Sequence, residues 1–207
     1  MDFHGYETDQ FYDELIAADG KPRAEARLLI EHINAMSSNE LRHRQKAAER
    51  ALHQQGITFS VYGNKKGTEK IFPFDILPRI ITAKEWAVLE KGMKQRIKAL
   101  NLFINDIYND QKILDDNVIP RDLVLSSDCY LKECQGLTPP KGIWIHITGT
   151  DLVRDDSGEF YVLEDNLRCP SGISYVLQNR SILKRTLPKA FQAMGALPVS
   201  DYGDHLY

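Results

Sequence analysis

The sequence has no long uninterrupted apolar run and carries little net charge. Its 207 residues include 26 Lys and Arg against 29 Asp and Glu, a formal net charge of −3. Charged residues interrupt every apolar run before it reaches the roughly 18 residues that a membrane-spanning helix needs. The near balance of charge argues against a strongly basic nucleic-acid-binding protein. We therefore expect neither a membrane nor a nucleic-acid partner.

Cysteine is scarce, and its spacing does not match a disulfide framework. The three cysteines are Cys129, Cys134 and Cys169, an odd number without a C-x-x-C pair. This argues against a disulfide-stabilised secreted domain, although a bond between Cys129 and Cys134 stays open as the less favoured alternative. Residues 1–7 have neither the basic nor the apolar stretch of a signal peptide. We therefore expect a cytoplasmic protein.

The spacing of the apolar residues predicts an α/β fold. Helical periodicity indicates N-terminal helices, a long central helix and a later helix. The long helix opens at Thr82, where Glu85 completes a capping box. Alternating and β-branched stretches predict a mainly antiparallel sheet. The predicted helices cover residues 22–33, 41–55, 82–108 and 173–187, with Pro22 as the first residue of the first helix. The predicted strands cover residues 57–62, 143–147, 150–154 and 160–164, and residues 63–67 form a predicted loop.

A predicted β-hairpin collects three polar side chains at the end far from its turn. Residues 155–158, of sequence D-D-S-G, form the turn, which lies midway between Asp151 and Glu164. Glu164 and Asn166 are two positions apart and leave the same face of an extended strand. Two carboxylates and an amide oxygen are suitable ligands for Mg²⁺. The alternative is an ordinary hairpin with solvated acids at its open end.

The sequence that follows these residues carries a family resemblance. The Asp151–Arg154 segment and the string from Leu163 to Arg180, which contains E-D-N-L-R-C-P-S-G, together resemble the circularly permuted ATP-grasp type 2 family. This family is often labelled glutathionylspermidine synthase-like. The resemblance runs from about residue 40 to about residue 190. Further similar segments are Gly56–Tyr62, Phe74–Arg79, Glu85–Trp86, Gly92, Gln95–Arg96, Ala99–Asn101 and Asp106–Tyr108.

The resemblance implies a metal site and an activity. Asp151, Glu164 and Asn166 take the positions of the family's Mg²⁺ ligands. The implied activity is that of an ATP- and Mg²⁺-dependent ligase that joins a carboxylate to an amine or a related nucleophile through an acyl-phosphate. The implied substrates are a small-molecule or peptide carboxylate and an amine nucleophile.

The resemblance also implies roles for the loop after the metal strand. Arg168 would be catalytic, holding a phosphate or a substrate carboxylate in bidentate fashion. Its alternative role is a surface ion pair with Asp165. Ser171 and Gly172 would bind the ATP cofactor through their backbone at the start of a helix. Their alternative role is that of a simple helix cap.

The family resemblance divides the chain into two parts. Residues 1–55 are read as a helical N-terminal extension, and residues 56–207 as a partial ATP-grasp-like domain that comprises the metal-binding lobe. In the family, the lysines and the adenine-contacting residues of the other lobe come later in the chain. A second lobe or a partner chain would then complete the nucleotide site. The alternative function is a non-catalytic binding or accessory module, or a fragment inactive without the second lobe.

Two further groups of charged residues are each compatible with two roles. Asp75 and Arg79 lie on one proline-containing segment, where they form either an ion pair with each other or a contact with substrate. Arg96 belongs to the basic side of the long helix. That side is either a solvated surface or, as the family resemblance suggests for Arg96, an approach to the nucleotide cleft.

Overall fold

A computed structural model of the chain describes residues 5–9, 11–60 and 69–206. The helices are α1 (Arg27–Asn34), α2 (Ser38–Gln54), α3 (Ala83–Tyr108), α4 (Lys112–Asp115), α5 (Arg121–Leu125), α6 (Ile173–Thr186) and α7 (Pro188–Met194). The strands are β1 (Thr58–Ser60), β2 (Glu69–Ile71), β3 (Gly149–Arg154) and β4 (Phe160–Asn166). Short 3₁₀ turns cover Lys132–Cys134, Pro140–Gly142 and Asp204–Leu206. Outside the described residues lie the predicted loop at residues 63–67 and the last two residues, 61 and 62, of the predicted strand 57–62.

The mixture of helices and antiparallel strands is consistent with the predicted α/β class. The strands of the described residues form two separate two-stranded sheets, β1–β2 and β3–β4. No helix in the described part of the chain has the length and apolarity needed to cross a membrane. Cys129, Cys134 and Cys169 are free thiols, so the alternative disulfide is not formed.

The chain folds into two compact units. Within the described residues, the first unit takes in everything up to Thr82, the turn Asp155–Gly158 and the part from Ser171 onward. The second unit consists of Ala83–Arg154 and Glu159–Pro170. The two units are defined by which described residues pack against one another. The division at residues 55 and 56, made from the family resemblance, stays a prediction.

Apolar packing of helices forms the core of the first unit. The buried side chains of α1 recur at helical spacing, as the sequence pattern indicates. α1 packs on α7, and α2 packs on α6. This second contact buries Ile182 of α6 against Ala48 and Leu52 of α2, which fixes the position of α6. The main cluster comprises Leu29, Ile33, Ile76, Leu187 and Ala190.

The helix boundaries in the first unit follow local capping chemistry. The side chain of Ser37 accepts a hydrogen bond from the Glu40 amide at 3.1 Å, so α2 starts at the predicted break. The predicted start of α1 at Pro22 is wrong. Pro22 forms an isolated β-bridge with Ile16 instead, and the helix begins at Arg27. The helix α7 was not predicted, although its first residue is a proline that suits that position.

The long helix α3 is the main element of the second unit. It begins directly after Thr82, as the capping box predicts, and it ends at Tyr108. Its predicted apolar face is only partly covered, and Ile107 is its buried residue among the described ones. Polar side chains therefore contribute much of the contact between α3 and the rest of the unit.

The predicted buried strand at residues 143–147 is wrong. The amides of Trp144 and Ile145 both donate to the side-chain oxygen of Asn101 on α3, at 2.8 and 3.0 Å. The indole of Trp144 donates to Asn105 at 3.2 Å and stacks on Tyr108. Because these amides bond to a side chain, they are not available for a strand ladder.

We expect Asn101→Ala to lower the free energy of unfolding of the second unit by about 1–3 kcal/mol, because two amides lose their acceptor. Urea unfolding followed by tryptophan fluorescence measures this, since both tryptophans, Trp86 and Trp144, lie in this unit. Asn109→Ala is the matched control, because Asn109 is exposed and donates only to carbonyls. Equal effects of the two substitutions would contradict the assigned role of Asn101.

Candidate metal centre

The hairpin turn between β3 and β4 forms as the sequence predicts. The Gly158 amide donates to the Asp155 carbonyl at 3.1 Å, and the Ser157 hydroxyl donates to the Asp155 carboxylate at 2.7 Å. Gly158 has φ of +90°, a conformation that glycine adopts without strain. A β-carbon there would also lie 2.6 Å from the ring of Tyr12. Both constraints explain why glycine occupies this position.

A β-bulge interrupts the pairing of β3 with β4. Near the turn, Leu152 pairs with Val162, whereas the next residue of β3, Asp151, pairs with Glu164. Leu163 is therefore the extra residue of the bulge. A bulge shifts every side chain beyond it to the opposite face of the strand.

The bulge determines which residues share a face with Asp151. In a regular ladder Asp151 would lie opposite Leu163, and Glu164 would lie opposite Thr150 on the other face. In the observed register, Asp151 faces Glu164 directly, and Asn166 pairs with Gly149. Spacing alone correctly predicted that the hairpin ends meet, but a regular hairpin would have separated the two carboxylates.

The three predicted metal ligands lie together on the exposed face of the hairpin. Asp151, Glu164 and Asn166 are all exposed. The side-chain amide of Asn166 donates to Oε1 of Glu164 at 3.1 Å, which leaves the amide oxygen of Asn166 available as an acceptor. Side chains that face each other across an antiparallel pair are about 4.5–5.5 Å apart at their β-carbons, close enough to share an ion.

The opposite face of the hairpin is bound to α3 near these ligands. Arg96 donates through Nε to Oδ2 of Asp165 at 2.6 Å, and the Thr150 hydroxyl donates to Oδ1 at 3.0 Å. The side chain of Asp165 is only 7% exposed. A buried carboxylate needs such partners, because the loss of its hydration would otherwise destabilise the folded state. Arg96 itself is exposed over 46% of its side chain, as the solvated-surface interpretation expects, and it also binds the hairpin. An approach of Arg96 to a nucleotide cleft stays a prediction.

A second ion pair binds the hairpin to α3 near the turn. Arg154, at the end of β3, donates to Glu85 in the first turn of α3, and its side chain is 6% exposed. Its guanidinium also lies 4.6 Å from the ring centre of Phe160, the residue that it faces across the strands. The hairpin thus contacts α3 at both ends.

Arg168 extends from the loop after β4. The alternative pairing of Arg168 with Asp165 is not formed, because Arg96 and Thr150 occupy that carboxylate. Arg168 is exposed and forms neither a hydrogen bond nor an ion pair with another described residue. Its guanidinium is therefore accessible to an anionic ligand.

Pro170 packs closely on β3 and so fixes the end of the same loop. A β-carbon at Gly149 would lie 2.8 Å from the β-carbon of Pro170, closer than two carbon atoms approach. Glycine at position 149 is therefore needed for the contact between the loop and the strand.

Ser171 and Gly172 belong to the first unit, where they precede α6. Gly172 is the residue at the cap position, with φ of +105°, and it supplies no side-chain hydrogen bond to the helix. Gly172 therefore occupies the cap position of the alternative interpretation, and the anion-binding role of this backbone stays a prediction. Amides at a helix start that lack a side-chain cap can bind an anion.

The donor set suits a magnesium ion. No cluster of three or more His, Cys, Asp and Glu side chains with metal-binding geometry occurs in the part of the chain that the structure describes. Mg²⁺ does not require one, because it commonly binds one or two carboxylates and completes its shell with water and phosphate oxygens. Asp151, Glu164 and the amide oxygen of Asn166 match that preference in number and chemistry.

The alternative ion pair between Asp75 and Arg79 is not formed. Arg79 binds the carboxylate of Glu14, and this hydrogen bond raises the pKa of the guanidinium above its ordinary value. Asp75 accepts a hydrogen bond from the Leu77 amide at 2.8 Å. Both residues therefore have structural contacts within the first unit.

The contact of Thr150 and Arg96 with Asp165, behind the candidate ligands, was not predicted from the sequence. Thr150 had no distinguishing signal, since its importance depends on its position opposite Asp165. Arg96 had one, because it belongs to a segment with family resemblance, but its partner could not be named. A residue whose role depends on contact with a distant segment carries no recognisable pattern in the sequence around it.

We expect Gly149→Ala to destabilise the second unit by about 1–3 kcal/mol, because its β-carbon would collide with Pro170. Gly92→Ala is the matched control in the same unit. A β-carbon added at Gly92, within α3, would meet no described atom within 4 Å outside its own stretch of helix. Alanine there should therefore stabilise the helix by about 1 kcal/mol. Urea unfolding should give opposite signs, and effects of the same sign would contradict this interpretation of Gly149.

Comparison with known proteins gives the family of the chain. Residues 78–207, more than half of the sequence, match the family described as circularly permuted ATP-grasp type 2. An uncharacterized Synechocystis protein is 52% identical over 206 residues, which cover 100% of this chain and 43% of that protein. An uncharacterized Mycobacterium tuberculosis protein is 44% identical over 208 residues, 99% of this chain and 37% of that protein.

A more distant relative carries the name of an enzyme. The Frankia alni protein named "Putative glutamate--cysteine ligase 2-3" is 36% identical over 187 residues, 90% of this chain and 21% of that protein. The chain thus spans less than half the length of each of these curated relatives. Because the family match covers the whole hairpin and the loop after it, the chain belongs to the circularly permuted ATP-grasp type 2 family.

Proposed function

We propose that this chain is the metal-binding part of an ATP- and Mg²⁺-dependent ligase that joins a carboxylate to an amine or a related nucleophile. The observation that carries the proposal is the placement of Asp151, Glu164 and Asn166 on one exposed face of the hairpin. Membership of the ATP-grasp family and the ligase names of the Frankia relatives support the same reaction class. The proposed intermediate is an acyl-phosphate of the carboxylate substrate.

The proposed cation ligands are the carboxylates of Asp151 and Glu164 and the amide oxygen of Asn166. Mg²⁺ held there would neutralise charge on the phosphoryl group that is transferred to the carboxylate. The hydrogen bond from Asn166 to Glu164 orients both side chains before a cation binds. Orientation before binding lowers the conformational cost of assembling the site.

We assign anion binding to the residues that follow the metal strand. Arg168 is exposed, permanently charged and able to form two parallel hydrogen bonds with a phosphate or a carboxylate. The backbone at Ser171 and Gly172 offers amides at the start of α6, where the helix dipole favours negative charge. Arg168 would hold a phosphate or the substrate carboxylate, and the amides at Ser171 and Gly172 would bind ATP.

We assign the choice of carboxylate and amine to a second lobe, supplied by a longer polypeptide or by a partner chain. The relatives extend well beyond the part that this chain matches, which is 43% of the Synechocystis protein. Selection among carboxylates depends on the shape of a pocket, so the metal hairpin alone does not determine it.

We expect Glu164→Gln to lower the affinity of the chain for Mn²⁺, used as a probe for Mg²⁺, by at least about tenfold, because a carboxylate ligand is lost. Electron paramagnetic resonance of free Mn²⁺ measures the binding. Glu133→Gln is the matched control, since it removes the same charge from an exposed glutamate of the second unit. Equal affinity of the parent chain and Glu164→Gln would contradict the metal assignment.

We expect Arg168→Ala to weaken binding of Mn·ATP about tenfold while it leaves the affinity for free Mn²⁺ within about twofold, because only the phosphate contact is lost. Titration of the chain with Mn²⁺, with and without ATP, separates the two effects. Lys132→Ala removes one exposed charge from the same unit and is the control for general electrostatic attraction. A loss of Mn·ATP affinity equal to that of the control would refute the role of Arg168.

A further inference from the structure

The bulge at Leu163 divides the β3–β4 ladder into two short segments. The turn segment consists of three cross-strand pairs: Leu152 with Val162, Val153 with Tyr161, and Arg154 with Phe160. The metal segment consists of the other three: Gly149 with Asn166, Thr150 with Asp165, and Asp151 with Glu164. A bulge disrupts the ladder locally and bends the strand that carries it. Strand pairing in the turn segment therefore does little to hold the strands of the metal segment together.

Each segment has its own ion pair with α3. The turn segment is bound through Arg154 to Glu85, and the metal segment through Asp165 to Arg96. Along α3, Glu85 and Arg96 are 11 residues apart, which is roughly 16 Å at about 1.5 Å per residue. The helix thus offers two well-separated attachment points, one for each segment.

Asp165 is well placed to control the metal segment, because it lies between two of the proposed ligands, Glu164 and Asn166. Alternation along the strand directs Asp165 towards α3 when its neighbours point outward. Both of its oxygens are bound, one by Arg96 and one by Thr150. Anchoring this one side chain therefore sets the direction of both neighbouring ligands.

We infer that Arg96 is a positioning residue for the metal centre. Its ion pair with Asp165 holds the metal segment of the hairpin on α3, independently of the contact that Glu85 makes with the turn segment. The consequence for Mg²⁺ rests on the proposed function. The anchoring of the metal segment does not, and it is measured without any metal.

The physical reason lies in the burial of Asp165. Without Arg96, the carboxylate would keep only the hydroxyl of Thr150 as a partner in a site where it is 7% exposed. Asp165 is the buried member of the pair, whereas the Arg96 side chain is 46% exposed. Removing the cation leaves the buried carboxylate uncompensated, and removing both charges together has a smaller effect. Arg96→Leu should therefore release the metal segment, and Arg96→Leu combined with Asp165→Asn should restore it.

Amide hydrogen exchange of the 207-residue chain without metal tests the anchoring directly. In Arg96→Leu we expect exchange to rise roughly tenfold or more at residues 149–151 and 164–166, as in local opening. Residues 152–154 and 160–162 should keep their protection. Lys94→Ala is the control, because it breaks an exposed ion pair with Glu90 on the same helix. The double variant should exchange like the parent.

Three exchange results would overturn the inference. The first is an Arg96→Leu pattern equal to that of Lys94→Ala. The second is a uniform rise in both segments, which would indicate general destabilisation. The third is a double variant that exchanges as fast as Arg96→Leu alone.

Mn²⁺ binding measured on the same variants extends the test to the ligands. We expect Arg96→Leu to lower the affinity about 10- to 100-fold, as loss of a supporting residue commonly does, and the double variant to recover most of it. If the parent chain does not bind Mn²⁺, the proposed function fails, while the exchange pattern still decides the role of Arg96. Normal Mn²⁺ affinity in Arg96→Leu would overturn that role.

Discussion

The carboxylate of Asp165 lies between the long helix α3 and the β3–β4 hairpin, where Arg96 and Thr150 bind its two oxygens. The outward direction of the candidate ligands on the other face of the strand depends on this contact. Since successive side chains alternate, directing Asp165 inward directs Glu164 and Asn166 outward. The interaction therefore links a structural ion pair to the chemistry of the proposed metal centre.

The two units of the chain are stabilised in different ways. The apolar clusters around Leu29 and Leu52 belong to the first unit, whose helices pack through regular apolar faces. In the second unit, the buried apolar side chains among the described residues are Ile107, Leu114 and Ile145. Hydrogen bonds and ion pairs with α3 have a correspondingly larger role there. Such contacts are directional, which suits the orientation of the candidate ligands.

Much of the fold followed from short segments of sequence. The D-D-S-G turn, the start of α3 after Thr82 and the break before α2 were predicted correctly, because each depends on chemistry within a few residues. Residues 143–147 look like a buried strand, yet two of their amides bond to Asn101, about 40 positions earlier in the chain. Apolar content indicated burial of this segment but not its hydrogen-bond partners.

The family, the hairpin and the candidate ligands could be recognised from local sequence, since a motif, a turn and a spacing of two are local properties. The shared face of Asp151 and Glu164 could not, because it arises from contacts between distant segments. That outcome depends on the bulge at Leu163 and on the ion pair between Arg96 and Asp165, which are 69 positions apart. A one-residue change in strand register reverses every side chain, and contacts between distant segments select the register.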